Sequence, residues 1–567
     1  MMNTEQYLEP LKYYERELKE THRQNVENCF ARLSDESHVD IGSNKITCTK
    51  YYAEKKALDK LRKSLTATKV GIVFMIILMI VGFVLGLVLL ITGSSSGSPE
   101  SIGVGVGLLV TGVIALVVWL AVFRPKKKDL QKVVDKKQKV ADKLQNEAYE
   151  QVRGLNNLFR PNLAVELMEK TAPLIDFDEY LSSKTLKRVV NQFKDKLDTD
   201  KTHSTLVVQS GNINTNPFIL RQKLVMEMVP EVYTGTLVIT YTKTVSDGEG
   251  GSKTITVSQT LVAHVTKPRP NYTVYTGLNY YTDAADKLSF YRTPAGMEGL
   301  SDKQVQRRAN KEDRQNQRKA EKAVKKGENY TKFANSKFEA YINSEKRNNE
   351  LEYRLLFTPL AQNNFVYSLS KQDDIYYDKR GCVNSISTTH DKDMDYSGDI
   401  SNYYHFDYEV IKANFVSYNM KFFEALYFDF VPLLNIPLFF QHQSAPFVDT
   451  EEEDVISYYE AEVLINKFEP DLFKPEHCDT DVILKPTVSG NNIIVNSYGY
   501  QAIPKVELVP TFGGDGRTHM VPVDYFEYKE VHDAYNVNLI NNNSEIVDNK
   551  NGSEVRYRKY RAHLLNK

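Results

Sequence analysis

The sequence predicts an α+β membrane protein: a two-helix transmembrane hairpin with a helical stalk, followed by mixed soluble domains. Two stretches near the N-terminus, 70–92 and 102–123, contain no charged residue. Each is long enough for a helix to cross the ~30 Å hydrocarbon layer of a bilayer. The chain has 567 residues, of which 41% are hydrophobic and 26% charged. This composition leaves ample length for folded domains outside the two spans.

The charges that flank the two spans predict their orientation. Basic residues crowd both outer ends: Lys69 precedes the first span, and Arg124, Lys126, Lys127 and Lys128 follow the second. The connection 93–101 carries only one charge, Glu100. Because Lys and Arg near span ends stay on the cytoplasmic side, we expect a cell-membrane protein with both termini in the cytoplasm. An alternative is that these basic residues recognise anionic lipid headgroups.

Small residues in both spans predict close helix packing. They are Gly82 and Gly86 in the first span, and Gly103, Gly107, Thr111 and Ala115 in the second. Small side chains let helix backbones approach in lipid. Two interpretations stay open: the spans pack against each other within one chain, or they form a seam between copies. Neither span contains an ionisable residue, so the sequence offers no proton relay or ion path within the bilayer.

Helical spacing extends the hairpin into a stalk on both sides. Leu58, Leu61 and Leu65 share one helical face before the first span, and Leu130 and Val134 begin a similar pattern after the second. The predicted organisation is an N-terminal cytoplasmic helical segment (1–69), the two spans with their external loop (93–101), a helical stalk (124–200), an antiparallel β domain (201–297), a charged basic helix (298–350) and an aromatic-rich α+β domain (351–567).

The β domain is predicted by a hairpin pattern. Two runs rich in β-branched residues, 235–243 and 253–263, flank a glycine-rich turn at 247–251. A second glycine-rich turn, 513–516, joins predicted strands at 505–509 and 519–523. Antiparallel strands are therefore expected in both soluble regions.

The segment 303–326 is strongly basic and has little apolar face. Three interpretations are open for it: a solvated helix that marks a domain boundary, a surface that docks on an anionic partner or leaflet, or a nucleic-acid contact. It lacks the interleaved aromatic residues on which single-stranded nucleic acid stacks. The whole chain has 72 basic and 73 acidic residues, so no overall positive field attracts nucleic acid. We expect no nucleic-acid partner.

No catalytic, cofactor-binding or metal-binding site can be assembled from the sequence. The four cysteines are far apart, so there is no Cys-x-x-Cys motif. The turn 513–516 lacks the Gly-Lys-Ser/Thr ending of a phosphate loop. The segment 391–402 opens like a calcium loop but has Tyr396 and Asn402 where glycine and glutamate are required. The neighbours His477, Cys478 and Asp479 do not face one another as nucleophile and base.

Three functions remain open from the sequence. The first is a non-catalytic interaction or scaffold protein whose partners are the bilayer and either another protein or a second copy. The second is a hydrolase-like enzyme at the membrane surface, with a site assembled from dispersed residues of 351–567. The third is a module that binds anionic lipid and organises the membrane. The strong anchor and the missing catalytic motifs favour the first.

Overall fold

The computed structural model describes residues 8–96, 99–160, 162–246, 251–330, 332–388, 394–447, 456–541, 554–557 and 560–566. Contacts divide the chain into two compact units. The β unit comprises Met1–His22, Ala164–Gly398 and Met420–Lys567, and the hairpin unit comprises Arg23–Leu163 and Asp399–Asn419. Two features noted in the sequence lie outside the described residues: the turn at 247–250 and the opening of the calcium-like segment at 391–393.

The secondary structure is mixed, as predicted. The helices are α1 (Pro10–Tyr13), α2 (Lys19–Ser37), α3 (Ile41–Ser96), α4 (Pro99–Val118), α5 (Arg124–Asn156), α6 (Leu163–Thr171), α7 (Ser183–Asn191), α8 (Asp302–Lys326), α9 (Ser336–Ile342), α10 (Glu350–Leu356), α11 (Pro359–Lys371), α12 (Tyr408–Leu434), α13 (Pro437–Gln441) and α14 (Tyr458–Asn466). The strands are β1 (Ile175–Phe177), β2 (His203–Ile213), β3 (Asn216–Ser246), β4 (Ser252–Tyr281), β5 (Ser289–Arg292), β6 (Ser344–Glu345), β7 (Tyr376–Arg380), β8 (Val383–Ser387), β9 (Ile483–Ser489), β10 (Asn492–Phe512), β11 (Thr518–Asn541), β12 (Glu554–Tyr557) and β13 (Tyr560–Asn566).

The hairpin unit is built on two long apolar helices, 41–92 and 99–156, that form the predicted hairpin. In the second helix, α4 continues into α5 through a π-helical turn at Trp119–Phe123. Pro125 follows this turn directly, and the wider turn accommodates a residue that cannot donate a backbone hydrogen bond. The apolar stripe of the stalk is buried where α3 meets α5: Leu58 and Leu65 pack with Val134.

The β unit contains two antiparallel sheets. The first has eight strands in the order β1-β2-β3-β4-β8-β7-β5-β6, and the second has five in the order β12-β13-β11-β10-β9. In the first sheet, Leu278 of β4 pairs with Ile386 of β8. Strands from the predicted β domain and from the aromatic-rich region therefore share one sheet, and both regions belong to one compact unit.

Two hairpins extend beyond their sheets. β3 has 31 residues, a contour length of about 100 Å at ~3.3 Å per residue. It pairs with β2 only as far as Val225 and continues with β4 alone to Ser246. Likewise β10 pairs with β9 only through Tyr498 and continues with β11 alone. We call these two-stranded extensions, 227–246 with 252–272 and 499–512 with 518–531, the arm.

The basic segment forms α8, whose ends are strongly capped. Ser301 and Gln304 make a reciprocal capping box at its start, and Gly327 ends it in the left-handed conformation. The helix is not solvated on all sides, because Val305, Ala309, Asn316 and Ala323 are buried. The Asn316 amide donates to Glu339 of α9 at 3.3 Å.

Candidate functional site

The hairpin presents an apolar surface that the rest of its unit leaves uncovered. Only 11% of the most apolar 18-residue stretch of each long helix is buried. Large side chains are exposed on several sides of both helices, and they include Val73, Phe74, Ile77, Ile80, Val84, Leu87, Val104, Val110, Ile114 and Val117. By length and composition, both helices are able to cross a membrane.

A glycine seam joins the two apolar helices. A Cβ atom added at Gly82 would lie 2.9 Å from the Cα atom of Gly112, and one added at Gly86 would lie 3.0 Å from the carbonyl oxygen of Gly105. Ala115 is also buried, with 1% of its surface exposed. The seam therefore follows Gly105, Gly112 and Ala115, a spacing of seven and three that keeps one helical face.

Three residues of the predicted seam lie elsewhere. A Cβ atom at Gly103 or Gly107 would have no atom within 4 Å, and Thr111 is exposed with its hydroxyl donating to the carbonyl oxygen of Leu108 at 2.7 Å. A four-residue spacing drifts by about 40° per step around a helix with 3.6 residues per turn. Gly103, Gly107 and Ala115 therefore do not share a face, although all are small.

The basic residues at the outer ends of the spans are all exposed. These are Lys69, Arg124, Lys126, Lys127 and Lys128. Among the described residues none of them takes part in an ion pair, so their charges are available to solvent or to a lipid headgroup. The described arrangement fits both the orientation signal and the headgroup interpretation.

The arm is a two-layer structure in which the β3–β4 hairpin stacks on the β10–β11 hairpin. Ile239, Leu261, Val265, Val521 and Val523 are buried between the layers. Gly235 is required where the layers approach most closely, because an added Cβ would collide with the carbonyl oxygen of Pro522. At the far end, the Gly514 amide donates to the Gln259 side chain at 2.7 Å. The turn at 513–516 thus holds the two hairpins together.

The outer face of the β3–β4 layer is a ladder of hydroxyls. Alternate residues of the two strands pair across it: Thr236 with Val262, Val238 with Thr260, Thr240 with Ser258, Thr242 with Thr256, and Thr244 with Thr254. All of them are exposed. β-branched threonine suits a strand whose outer face meets water. This face is therefore stable without a partner.

The outer face of the β10–β11 layer is apolar. Its exposed side chains are Val506 (61%), Leu508 (56%), Phe512 (70%), Met520 (50%) and Phe526 (44%), together with the exposed prolines Pro504, Pro510 and Pro522. The cross-strand register places them side by side, with Leu508 opposite Pro522 and Pro510 opposite Met520. Contiguous apolar patches of this kind mark interaction surfaces. We call these eight residues the apolar face of the arm.

A half-buried charge cluster lies at the base of the arm, where β3 enters its sheet. The Asp198 carboxylate meets His203 Nδ1 at 3.2 Å, Lys223 Nζ at 3.3 Å and an Arg221 guanidinium nitrogen at 3.4 Å. Burial opposes ionisation of Asp198, but the His203 hydrogen bond and the charges of Arg221 and Lys223 hold its pKa well below the usual value. The Arg221 guanidinium also stacks 4.1 Å above the Tyr459 ring.

Two further buried charges have structural partners. Arg292 pairs with Asp373, and that carboxylate also accepts from the Met297 amide at 2.8 Å. Lys379 is fully buried and donates to the carbonyl oxygens of Gly381 at 2.6 Å and Ala284 at 3.4 Å. Burial lowers the pKa of Lys379 to about 8. The amine thus holds the turn after β7 against the backbone at Ala284. No described nucleophile or carboxylate is hydrogen-bonded to it.

Two clefts on the β unit are defined by described residues. The first, of about 880 Å³, is lined by residues that include Leu8, Asp176, Arg188, Phe440 and Gln441. The second, of about 500 Å³, lies on the large sheet and is lined by residues that include Arg221, Lys223 and Asp378. Neither lining contains histidine or cysteine. Among the described residues, no group of three or more His, Cys, Asp and Glu could hold a metal ion.

The reactive residue types noted in the sequence do not converge. His477 is exposed beside Glu476, the Cys478 thiol faces Thr480, and Asp479 is occupied by hydrogen bonds to β10. His519 contacts Asp515 at 3.0 Å across the turn of the arm, and no described hydroxyl or thiol nucleophile is bonded to that histidine.

No protein-family model, curated protein or solved structure matches this chain. What the protein does is therefore inferred from its own surfaces. The arm is a candidate functional feature that the sequence did not reveal as a surface. Its signal is that, except at Asp524, every second residue of 504–512 and 520–526 is apolar or proline. The pattern becomes meaningful only once Val521 and Val523 between them are known to be buried.

Proposed function

We propose that the protein is a membrane-anchored, non-catalytic binding module: the hairpin spans the cell membrane, and the arm of the β unit engages a protein partner in the cytoplasm. The observation that carries this proposal is the exposure of large apolar side chains at two places, the hairpin and one face of the arm. An apolar surface without protein cover is costly in water, so each place requires its own non-aqueous neighbour.

The hairpin's neighbour is the bilayer. Its exposed side chains surround both helices, and a surface that is apolar all round suits lipid rather than a single protein groove. The basic residues at the outer ends then set the orientation, with the short connection outside and both termini inside.

The arm's neighbour is a protein. Its contiguous apolar residues are concentrated on one face, whereas the exposed valines Val238 and Val262 of the opposite face lie among hydroxyls. One-sided apolar patches on a folded, rigid element are typical of protein interfaces. The clefts lined without histidine or cysteine make the alternative, a hydrolase-like enzyme, less well supported.

The orientation is tested by labelling with a membrane-impermeant maleimide. In a chain carrying Cys382→Ser and Cys478→Ser, one variant adds Ser94→Cys in the connection and another adds Lys326→Cys at the end of α8. Labelling of intact cells is expected for the first variant only, with the second labelled after lysis. Equal labelling of both, or release of the protein by alkaline carbonate, would overturn the anchor.

The binding role is tested by photo-cross-linking in cells. A photoreactive residue at Leu508 or Phe512 is expected to give discrete, reproducible adducts with protein. The matched control is the same residue at Val238 or Val262, which are similarly exposed on the opposite face at 62% and 46%. Equal adduct yield from the two faces, or none from either, would contradict the proposal.

A further inference from the structure

We propose that the partner of the apolar face is a second copy of this chain, so that two arms pair face to face across a two-fold axis. This rests on the proposed function, because it names the protein that the arm binds. It is argued from the area of the face, the position of its charges and the proposed anchoring of the chain in a membrane.

The area of the face fits a weak self-association. From their exposed fractions, Val506, Leu508, Phe512, Met520 and Phe526 offer on the order of 500 Å² of accessible surface, whereas one side of a standard interface has about 800 Å². Two such faces would bury about 1,000 Å² in total, the lower limit for a specific contact. This is too little for a tight dimer in dilute solution.

Membrane anchoring compensates for the small area. Two chains held in one bilayer meet at a far higher effective concentration than two chains free in solution, and this gain requires no new contact. Pairing is therefore expected in the membrane, and it should weaken as the protein is diluted with lipid.

The charges near the face are arranged for two-fold pairing. Asp524 interrupts the face near its base, opposite Val506, and Arg517 is exposed in the turn at its tip. Measured from the Pro510–Met520 pair, Asp524 is displaced by about 13 Å toward the base and Arg517 by about 10 Å toward the tip, at ~3.3 Å per residue. A two-fold axis through that pair places each Asp524 near the Arg517 of the other copy, as an isologous contact requires. Neither side chain forms an ion pair within the described residues.

The opposite face of the arm is a poor alternative for pairing. Its threonine hydroxyls are satisfied by water, and burying them would require a new hydrogen bond for each. Its exposed valines toward the tip, Val238 and Val262, are separated by hydroxyls, whereas Met228 and Val232 lie closer to the base of the arm. Val238 and Val262 therefore provide a control of matched chemistry on the same element.

The test is cross-linking of the full chain in proteoliposomes with a short bis-maleimide. Met520→Cys is compared with Val238→Cys, both in a background of Cys382→Ser and Cys478→Ser. The expected result is a covalent dimer from Met520→Cys, at least tenfold more abundant than from Val238→Cys, whose yield falls as the lipid-to-protein ratio rises. Equal dimer yield at the two positions, or a yield independent of dilution, would overturn the pairing.

A charge exchange tests the two-fold geometry without relying on loss of the apolar face. With Met520→Cys as the reporter, Asp524→Arg is expected to lower the dimer yield several-fold, because like charges then meet. The additional change Arg517→Asp is expected to restore it. Failure of the double variant to recover, while its β unit remains protease-resistant, would overturn this axis.

The outcomes also separate this inference from the proposed function. If Met520→Cys gives no dimer but a photoreactive residue at Leu508 still joins another protein, self-pairing fails and the binding module stands. If neither reagent captures protein and the face instead binds vesicles of neutral lipid, both proposals fail, because the arm would then be a lipid-contacting element.

Discussion

The hairpin and the arm both expose large apolar side chains, but they distribute them in different ways. On the hairpin these side chains surround both helices, and a glycine seam runs along the line where the helices touch each other. On the arm they are concentrated on one of two outer faces, whereas the other face is mostly threonine with a few valines. It is this difference in angular distribution, rather than in amount, on which the proposed roles of lipid-facing hairpin and protein-binding arm depend.

The two regions also differ in how they are held in place. The hairpin relies on close backbone contact at glycine and has no buried charge in its apolar stretch. The arm extends from a base in which Asp198 forms ion pairs with both Arg221 and Lys223. Rigidity of the arm should thus depend on electrostatics at its base, and rigidity of the hairpin on shape alone.

The largest expected effect concerns the charge cluster at the base of the arm. Asp198→Asn leaves the half-buried Arg221 and Lys223 without the carboxylate that pairs with both, and the loss should approach the ~3–5 kcal/mol of a broken buried pair. The β unit should unfold at a lower denaturant concentration than in the wild type. Hydrogen exchange of β3 and β4 measures this unfolding. Glu231→Gln is the control, because it removes an exposed ion pair of the arm with Arg269, which is worth only about 0–1 kcal/mol. Equal losses of stability in both variants would refute the idea that the arm depends on the charge cluster at its base.

The same cluster predicts how stability depends on pH. The pKa of Asp198 is lower in the folded protein than in the unfolded chain, so its contribution is fully present above the unfolded pKa of about 4 and is lost as the pH falls toward the folded pKa. The difference in unfolding free energy between the wild type and Asp198→Asn should therefore shrink as the pH falls below about 4. A gap that stays constant into acid would assign the stabilisation to packing instead.

The next effect tests whether the two exposed surfaces face different surroundings. Val84 in the hairpin and Val238 on the arm are exposed to 55% and 62%. Lysine near the centre of a span costs about 2.5–3.5 kcal/mol of insertion free energy, whereas lysine on a hydrated strand costs less than about 0.5 kcal/mol. The membrane-inserted fraction should fall for Val84→Lys only. Similar insertion for both variants would remove the distinction between the regions.

Sequence periodicity predicted the apolar helical hairpin, the helical stalk and the strand pairs on either side of the two glycine-rich segments, because each depends on local patterns. It did not reveal that strands from 201–297 and 351–567 share a sheet, since the pairing of Leu278 with Ile386 joins distant segments whose alternation is compatible with many partners. It also underestimated the length of β3 and β4. Pro230 and Pro268 argue against a continuous central strand, yet they face each other in a two-stranded ribbon, where each strand has a free edge.

The seam shows a different limit of sequence reasoning. Gly103 and Gly107 are as small as Gly105 and Gly112, so composition alone does not choose between the two faces. The face is chosen by Gly82 and Gly86 on the other helix, and that register is a property of the pair. The charges Lys69 and Lys126, by contrast, lie at the ends of the apolar stretches in the sequence itself, and both are exposed.

A smaller effect separates the two glycine stripes. Gly82→Val places a side chain against the backbone of Gly112, and such overpacking costs about 1–3 kcal/mol. Gly107→Val meets open space and should be nearly neutral. The thermal stability of the hairpin in detergent, followed by circular dichroism, should fall for the first variant alone. A comparable fall for Gly107→Val would indicate that the stripe through Gly103 and Gly107 contacts another helix, as a seam between copies would require.

The smallest expected effect on stability is the sharpest test of the arm. Leu508→Ser removes an apolar side chain that is 56% exposed, so the β unit should lose no more than about 0.5 kcal/mol of folding free energy. Its capture of protein in cells should nevertheless fall well below that of Val238→Ser, because only Leu508 lies on the apolar face. A residue that is almost irrelevant to folding but necessary for binding is one whose apolar surface is completed by a partner. If Leu508→Ser instead destabilised the unit by several kcal/mol, the face would be part of the fold of the arm, and its exposure would need another explanation than binding.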